Sequence, residues 1–467
     1  MATMISEETL TSASADPAGY PGWRTAWWSV LILFLAAIVS IIDRGILNIV
    51  VDPVRHDLGL ADVQISLLQG LAFGLFYATV GIPLGLVADS VSRRLLVAVG
   101  VLVWSLATMG GGLADSFGEF FLSRLLVGLG EAALGPAAVS LIADLFPPHR
   151  RGKPLSLFLT GQAVANGLAI SLTSFIIKAA ADGRLQGIPF LESAAPWRVA
   201  FFGCGAIGLL VSALMLTTKE PPRGNGKGGF AQTTPLSEKL AYLRRNAGIF
   251  VPFYAGFAVC FLAVYASAAW APAMLTRGFH VGPVEIGTWL GPFSMAFSLL
   301  GPVTGGILID YFARRSYPMA KFGILLVAPL LAMPSALAVF TTNSILAMFL
   351  VASSSAIYAV VGATTFATLQ NIVPPSMRGS AIALCGLANT IIGATLGPLM
   401  VATLTEKVFK DPTQVGYSIA VVVIPALVIA VALFAVARRA LLRQRANGGE
   451  AAALMQAAEG QPTFPYR

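Results

Sequence analysis

Four ionisable residues stand inside stretches of chain that are otherwise apolar: Asp43, Arg44, Arg124 and Glu131. A charge at the centre of a bilayer costs at least about 2.5 kcal/mol unless it is paired or hydrated, so such residues face a bundle interior and mark ion or substrate paths. Two carboxylates among two guanidiniums can hold and release a proton. A carboxylate beside an arginine is stable as the anion, and one buried without a partner is stable as the acid. Arg124 and Glu131 are seven residues apart, two helical turns, and so share a face. Depth within their stretches places Asp43 and Arg44 between them, so crosswise pairing, Asp43 with Arg124 and Arg44 with Glu131, is geometrically open. Asp43 is the first candidate for the proton carrier and Glu131 the second. The competing reading is a fixed network that only ties two helices together. The three histidines, His56, His149 and His280, lie at the ends of apolar stretches or between them, which argues against a buried histidine carrier.

The elements that must position these charges are membrane helices. The chain of 467 residues is 56% hydrophobic and 11% charged, against about 25% charged in a soluble domain. Stretches long enough to span fall at roughly 25–52, 63–88, 95–114, 118–145, 154–178 and 198–218, then 248–275, 284–310, 320–340, 344–372, 379–405 and 415–438. A polar segment with several Lys and Arg separates the two sets of six. The expected organisation is an N-terminal tail (1–24), a six-helix bundle (25–218), a linker (219–246), a second six-helix bundle (247–440) and a C-terminal tail (441–467). With the N-terminus inside, cytoplasmic segments collect 21 of the 30 Lys and Arg and outer loops collect 7. That bias places both termini in the cytoplasm. It also accounts for the net charge of +8 without nucleic acid as a partner.

Cys204, Cys260 and Cys385 all lie in apolar stretches and read as packed thiols rather than a disulfide frame. No nucleotide loop, metal-ligand cluster or nucleophile arrangement is present, so an enzyme is not expected and no cofactor is called for. The first 22 residues lack the layout of a cleaved signal, and the first span is expected to serve for insertion.

The two halves repeat each other. Gly85-Leu86-Val87-Ala88-Asp89 followed by Arg93-Arg94 matches Gly306-Ile307-Leu308-Ile309-Asp310 followed by Arg314-Arg315 at an offset of 221 residues. Pro147-Pro148-His149-Arg150-Arg151-Gly152 matches Pro374-Pro375-Ser376-Met377-Arg378-Gly379 at an offset of 227. This is the mark of a duplicated six-helix unit. The first repeat resembles the signature of the major facilitator superfamily, and so does Arg124-Leu125-Leu126-Val127-Gly128-Leu129-Gly130 in the fourth span. Asp43-Arg44, Gly130-Glu131-Ala132 and Ala143-Asp144-Leu145-Phe146-Pro147 resemble the Spinster group within it. The fifth span, Leu159-Thr160-Gly161-Gln162-Ala163-Val164-Ala165-Asn166-Gly167, lacks the Gly- and Pro-rich signature of the drug/proton antiporters.

The resemblance implies an all-α, twelve-helix fold of two pseudo-symmetric bundles and transport by alternating access. For the Spinster group it implies an amphipathic, sphingolipid- or lysolipid-like substrate. The short loops suit a protein of a bacterial inner membrane, and a monomer is expected because neither half shows an obvious extra interface. In the superfamily the acidic residue after the second span contacts a helix start in the other bundle when the cytoplasmic side is closed. That assigns Gly85, Asp89, Arg93, Asp310 and Arg314 to a cytoplasmic gate, with Asp89 expected at Gly379-Ser380 and Asp310 near Gly152. Apart from Glu285 at a span mouth, the second half has no ionisable residue within a span. Tyr254, Tyr265, Tyr358 and Asn389, with Gln162 and Asn166 of the fifth span, are the candidate substrate-cavity residues. A charged wall facing an apolar one suits a substrate with a polar head and an apolar body. The rival expectation is a proton-linked carrier of small organic anions held by Arg44 and Arg124. A gradient-independent scramblase or a sensor is the reading from outside active transport.

Overall fold

The computed structural model describes residues 20–88, 91–184, 194–222, 235–314 and 319–460. Among them, twelve helices are long and apolar enough to cross a membrane. In the first half these are α1 (Trp23–Ile49), α2 (62–88), α3 (Arg93–Leu113), α4 (Phe117–Leu145), α5 (Gly152–Ala181) and α6 (Pro196–Met215). The second half contributes α7 (Ala247–Phe279), α8 (Pro283–Arg314), α9 (Ala320–Phe340), α10 (Ser344–Ile372), α11 (Pro375–Phe409) and α12 (Pro412–Ala446). The expected spans are recovered to within a few residues, except that α12 continues to Ala446.

Local chemistry sets the ends. Ser92, Ser116 and Asn343 each accept a backbone N–H of the first turn, starting α3, α4 and α10. Along the helices, Leu75, Val99, Leu106, Leu210 and Val251 remain exposed. In water they would be an aggregation hazard, whereas in hydrocarbon they are at home.

Three departures from α-helix matter for the site. Helix α4 is interrupted at Ala132-Ala133, between Phe117–Glu131 and Leu134–Leu145. Pro136 explains the break: it offers no N–H to Ala132, and its ring crowds the carbonyl of Ala132. Helix α2 contains a π-helical segment, Leu67–Leu71, and α11 contains two, Asn389–Leu396 and Leu404–Phe409. Such segments are frequent at functional sites.

Within the first bundle α1 lies along α5 and α3 along α6, and in the second α7 lies along α12 and α8 along α10. The bundles meet where α5 lies along α8 and α2 meets α11. Twelve traverses return the chain to the face it left, here called the terminal face, opposite the distal face. One buried apolar cluster runs from the second bundle into the distal half of the first, through residues such as Ile46, Val54, Ile65 and Trp197. The terminal half of the first bundle has its own separate cluster, which includes Val30, Trp104, Leu141 and Phe158.

The bundles are therefore sealed on the distal side. Ser171 Oγ donates to Gly287 O (2.8 Å), Ser66 Oγ to Pro398 O (3.0 Å) and Gln69 Nε2 to Ala269 O (3.2 Å). Gly70 is packed against the carbonyl of Ala394, and Gly167 against that of Gly291, with no room for a Cβ at either. On the terminal side Gly152, Gly306 and Gly379 face open space. Gly306 makes no close approach to another helix.

Candidate functional site

The charges of α1 and α4 meet in the middle of the first bundle. Adjacent residues on a helix point about 100° apart, and α1 uses this to send Asp43 and Arg44 to different places. Arg44 points toward α2 and α4. Its Nε donates to Glu131 Oε2 at 2.6 Å, and its guanidinium lies over the rings of Phe73 and Tyr77, 4.4 and 5.0 Å from their centroids. Ser40, one turn earlier on α1, donates from Oγ to the same Glu131 oxygen at 2.7 Å. Glu131 is fully buried while the Arg44 side chain is 34% exposed, so the pair stands at a wall, carboxylate inside and guanidinium at the surface. Glu131 closes the first segment of α4, immediately before the break.

Asp43 points the other way, into the bundle. It is 0% exposed, and neither carboxylate oxygen makes a hydrogen bond of good geometry among the described residues, although the Thr108 hydroxyl of α3 lies beside it. Arg124 lies beside it but donates from Nη1 to the Asp43 backbone carbonyl at 2.9 Å. Arg124 Nε and Nη2 are buried without partners. The guanidinium sits against Phe120 and Phe201, 5.4 and 4.9 Å from their centroids. Of the two crosswise pairs, Arg44 with Glu131 is formed, whereas Asp43 with Arg124 is not formed through the carboxylate. The backbone carbonyl of a buried helix is a neutral acceptor that lets arginine stay charged while the carboxylate stands apart.

The cavity candidates divide. The Asn389 amide donates to Tyr265 Oη at 3.4 Å while its own Oδ1 is unpartnered. Tyr265 is also within electrostatic reach of Arg44 across the bundles. Gln162 is half-buried and Asn166 exposed on α5. Tyr254 and Tyr358 belong to the packed core of the second bundle instead, and their assignment to the cavity is corrected here. Tyr254 spends its hydroxyl on Ala381 O at 3.2 Å, which turns it inward.

The two fully described gate candidates on the terminal face, Arg93 and Asp310, make no contact across the bundles among the described residues. Asp89 lies outside the described residues, as do the surroundings of Gly85 and the side chain of Arg314. Asp310 is exposed and makes no hydrogen bond or ion pair among the described residues. Arg93 is buried and works within one bundle. It pairs with Asp144 of α4 and, at 2.9 Å, with Glu220, just beyond α6. Glu220 escapes the sequence reading. It accepts from Ser92 Oγ (3.0 Å) and from the Arg94 backbone N–H (2.8 Å) at the start of α3. Burial works to raise the Glu220 carboxyl, but the Arg94 N–H, the Arg93 guanidinium and the Ser92 hydroxyl outweigh it and hold the group below the ordinary glutamate range. The carboxylate lies three residues from the nearest apolar run, and only the fold carries it to that helix start.

Two six-helix bundles, joined at α2–α11 and α5–α8 and with buried charges in the middle of one, define a multi-pass integral membrane transporter. A family model described as Major Facilitator Superfamily matches residues 33–398. The chain belongs to that superfamily. It is 30% identical over 408 residues to an MFS-type efflux pump of Mycolicibacterium smegmatis, covering 85% of this chain and 88% of that one. It is 28% identical to the Protein spinster of Drosophila melanogaster, across 83% of this chain and 63% of the fly protein. Among solved structures it resembles a bacterial homologue of the human lysosomal transporter Spinster, in an inward-facing and unoccupied conformation. That match has a TM-score of 0.78 and 25% identity, and it covers 95% of this chain and 100% of the other.

Proposed function

We propose that this transporter is proton-coupled and moves an amphipathic, sphingolipid- or lysolipid-like substrate by alternating access, with Asp43 as the proton carrier. The observation that carries the proposal is the Asp43 carboxylate: fully buried, with only the Thr108 hydroxyl near it, and beside an arginine that hydrogen-bonds its backbone rather than its oxygens. An unpaired carboxylate in such surroundings is stable as the neutral acid, and one paired with a guanidinium as the anion. A small rotation that brings Arg124 from the Asp43 carbonyl to its carboxylate releases the proton, and the reverse motion takes it up. Glu131, already paired with Arg44, is the second candidate, loaded when an anionic group draws Arg44 away.

The substrate reading rests on the unlike groups that the two bundles turn toward each other. Arg44, flanked by Phe73 and Tyr77, offers a cation set in aromatic surface, and across from it Tyr265 and Asn389 offer uncharged hydrogen-bonding groups. A polar head with an apolar body fits that pairing. The likeness to the Protein spinster of the fly and to the bacterial Spinster homologue supports a Spinster-like substrate, and the likeness to an efflux pump supports export. We place the protein as a monomer in a bacterial inner membrane with both termini cytoplasmic, which makes the terminal face the inner one. A second reading, transport of small organic anions, is favoured by the exposed edge of Arg44.

The test is proton flux in proteoliposomes that enclose a pH-sensitive dye. Lysolipids, sphingoid amphiphiles and small organic acids are added to the original protein, to Asp43→Asn and to Glu131→Gln. Flux that follows amphiphiles and disappears in Asp43→Asn supports the proposal. Flux that follows only small acids selects the second reading. Substrate movement indifferent to the pH gradient in all three proteins rejects proton coupling.

A further inference from the structure

The distal arginines each face a carboxylate. Arg55 pairs with Asp62 (3.2 Å), Arg184 with Asp182 (3.8 Å), Arg198 with Asp57 and Asp115 (3.1 and 2.9 Å), and Arg277 with Asp52 and Asp62 (2.7 and 2.9 Å). Lys178, three residues before the end of α5, is different. It is exposed and makes no ion pair or hydrogen bond among the described residues.

Lys178 tops a groove along the seam between the bundles. Residues 171, 174, 175 and 178 recur at intervals of three and four and share one face of α5, and 284, 287 and 288 share one face of α8. Together Ser171, Ser174, Phe175, Lys178, Val284, Gly287 and Thr288 line a cavity of about 330 Å³. That is the small end of the range for ligand pockets. In the distal half the interior is filled by the buried cluster that runs between the bundles. Phe175, 62% exposed, and Val284, 41% exposed, therefore look outward, to hydrocarbon.

The polar groups of the groove are one-sided. Ser171 spends its hydrogen on Gly287 O, and Thr288 spends its own on Val284 O at 2.8 Å. Ser174 Oγ is buried without a partner, one turn deeper than Lys178, and Gly287 leaves it room: a Cβ there would collide with the Ser174 side chain. Two donors remain, the Ser174 hydroxyl and the Lys178 ammonium, and no carboxylate lines the groove. Glu285 follows Val284 and points about 100° away from it. What completes such a groove is an anionic group with acceptor oxygens at the level of Lys178 and an apolar chain along Phe175 and Val284. A lysine at a helix end carries its charge to the headgroup level while its stem lies on apolar surface.

We propose that the distal α5–α8 groove binds a resident membrane phospholipid. Lys178 holds the phosphate, Ser174 donates to the ester carbonyl one turn below, and the acyl chain lies along Phe175 and Val284. The seal of the seam, Ser171 on Gly287 and Gly167 against Gly291, backs the groove and separates this lipid from the cargo. Because α5 and α8 belong to different bundles, the groove is whole only while the distal side is closed, and a lipid seated in it favours that state. This consequence rests on the alternating-access reading above.

The test is retention of phosphatidylglycerol by the full chain, read by native mass spectrometry from detergent, with diacylglycerol as the probe that keeps the chains and lacks the phosphate. Lys178→Gln is expected to lower phosphatidylglycerol binding about fivefold, and Thr288→Trp, which fills the groove from α8, to lower it at least as much. Both positions are exposed, so melting temperatures should stay near that of the original. Lys407→Gln, exposed on α11 and outside the groove, should bind as the original does. Equal retention of phosphatidylglycerol and diacylglycerol, or unchanged binding in Lys178→Gln and Thr288→Trp, overturns the site. The consequence is read separately, from spin labels at Gly118→Cys and Thr342→Cys, both exposed and one in each bundle, in a chain with Cys204, Cys260 and Cys385 replaced. Adding phosphatidylglycerol to nanodiscs should raise the ratio of short to long distances about fivefold in the original and leave it unchanged in Lys178→Gln. Distances indifferent to a lipid that still binds overturn the effect on distal closure and leave the site standing.

Discussion

The Arg44–Glu131 pair can be tested by a double-mutant cycle. Glu131→Gln keeps the shape of the side chain and an oxygen that can still accept from Arg44 Nε and from Ser40 Oγ, but it removes the charge. A hydrogen bond to a charged group contributes about 1.5–3 kcal/mol and a neutral one about 0.5–1.5 kcal/mol, so the loss expected at a fully enclosed site is about 1–1.5 kcal/mol. The Arg44 side chain is 34% exposed, and water screens that end of the pair. Roughly 1 kcal/mol is therefore the working figure. Arg44→Met alone is expected to cost more than Glu131→Gln, since it leaves a buried carboxylate with only the Ser40 hydroxyl. The double variant should be less destabilised than the sum of the single ones, with a coupling of about 1 kcal/mol or more. The assay is reversible unfolding in mixed micelles, with the same cycle on Leu106, exposed at 53% on α3, as the additive control. Additivity of Arg44→Met and Glu131→Gln to within about 0.3–0.5 kcal/mol would refute the pair as an interacting unit.

Other outcomes follow from the same geometry. Asp43→Asn should leave thermal stability unchanged or raise it, because a neutral amide replaces an unpaired buried carboxylate, while proton flux is lost; a fall in melting temperature of several degrees would count against that environment. Gly70→Leu should wedge the distal seal, since a Cβ there meets the Ala394 carbonyl, and it should raise labelling of a cysteine buried in that seal, such as Ser66→Cys; unchanged labelling would contradict the packing of α2 on α11. Glu220 is held below its ordinary range. Its stabilising contribution is therefore complete above the unfolded value near pH 4 and is lost as pH falls through the lower folded value. Glu220→Gln should be less stable at neutral pH and should show a smaller acid-side loss, read from melting temperatures between about pH 3 and 7.

The twelve spans were legible in the chain because a bilayer imposes a simple rule: about 20 apolar residues per crossing, with every backbone group bonded within its own helix. The internal repeat and the four intramembrane charges were legible for the same reason, since nothing else in those stretches competes for attention. The break in α4 carried a signal too, in Pro136 five residues after Glu131. Which partner each charge takes was a different matter. Asp43 and Arg44 are neighbours in the chain, yet one enters the bundle and the other its wall, a consequence of helix rotation against α3, α4 and α6 that no spacing rule contains. Tyr254 and Tyr358 read as cavity residues because aromatic hydroxyls in apolar helices look alike until packing assigns them a side. Arg277 with Asp52 and Asp62, and Glu220 with Arg93, join residues 225, 215 and 127 positions apart. Each of those charges sits at a helix end, where a sequence reading properly sees only topology. Only the tertiary structure brings them together: Glu220 meets Arg93 through the packing of helices within one bundle, and Arg277 meets its aspartates through the way the two bundles are tilted, which is what a transporter changes.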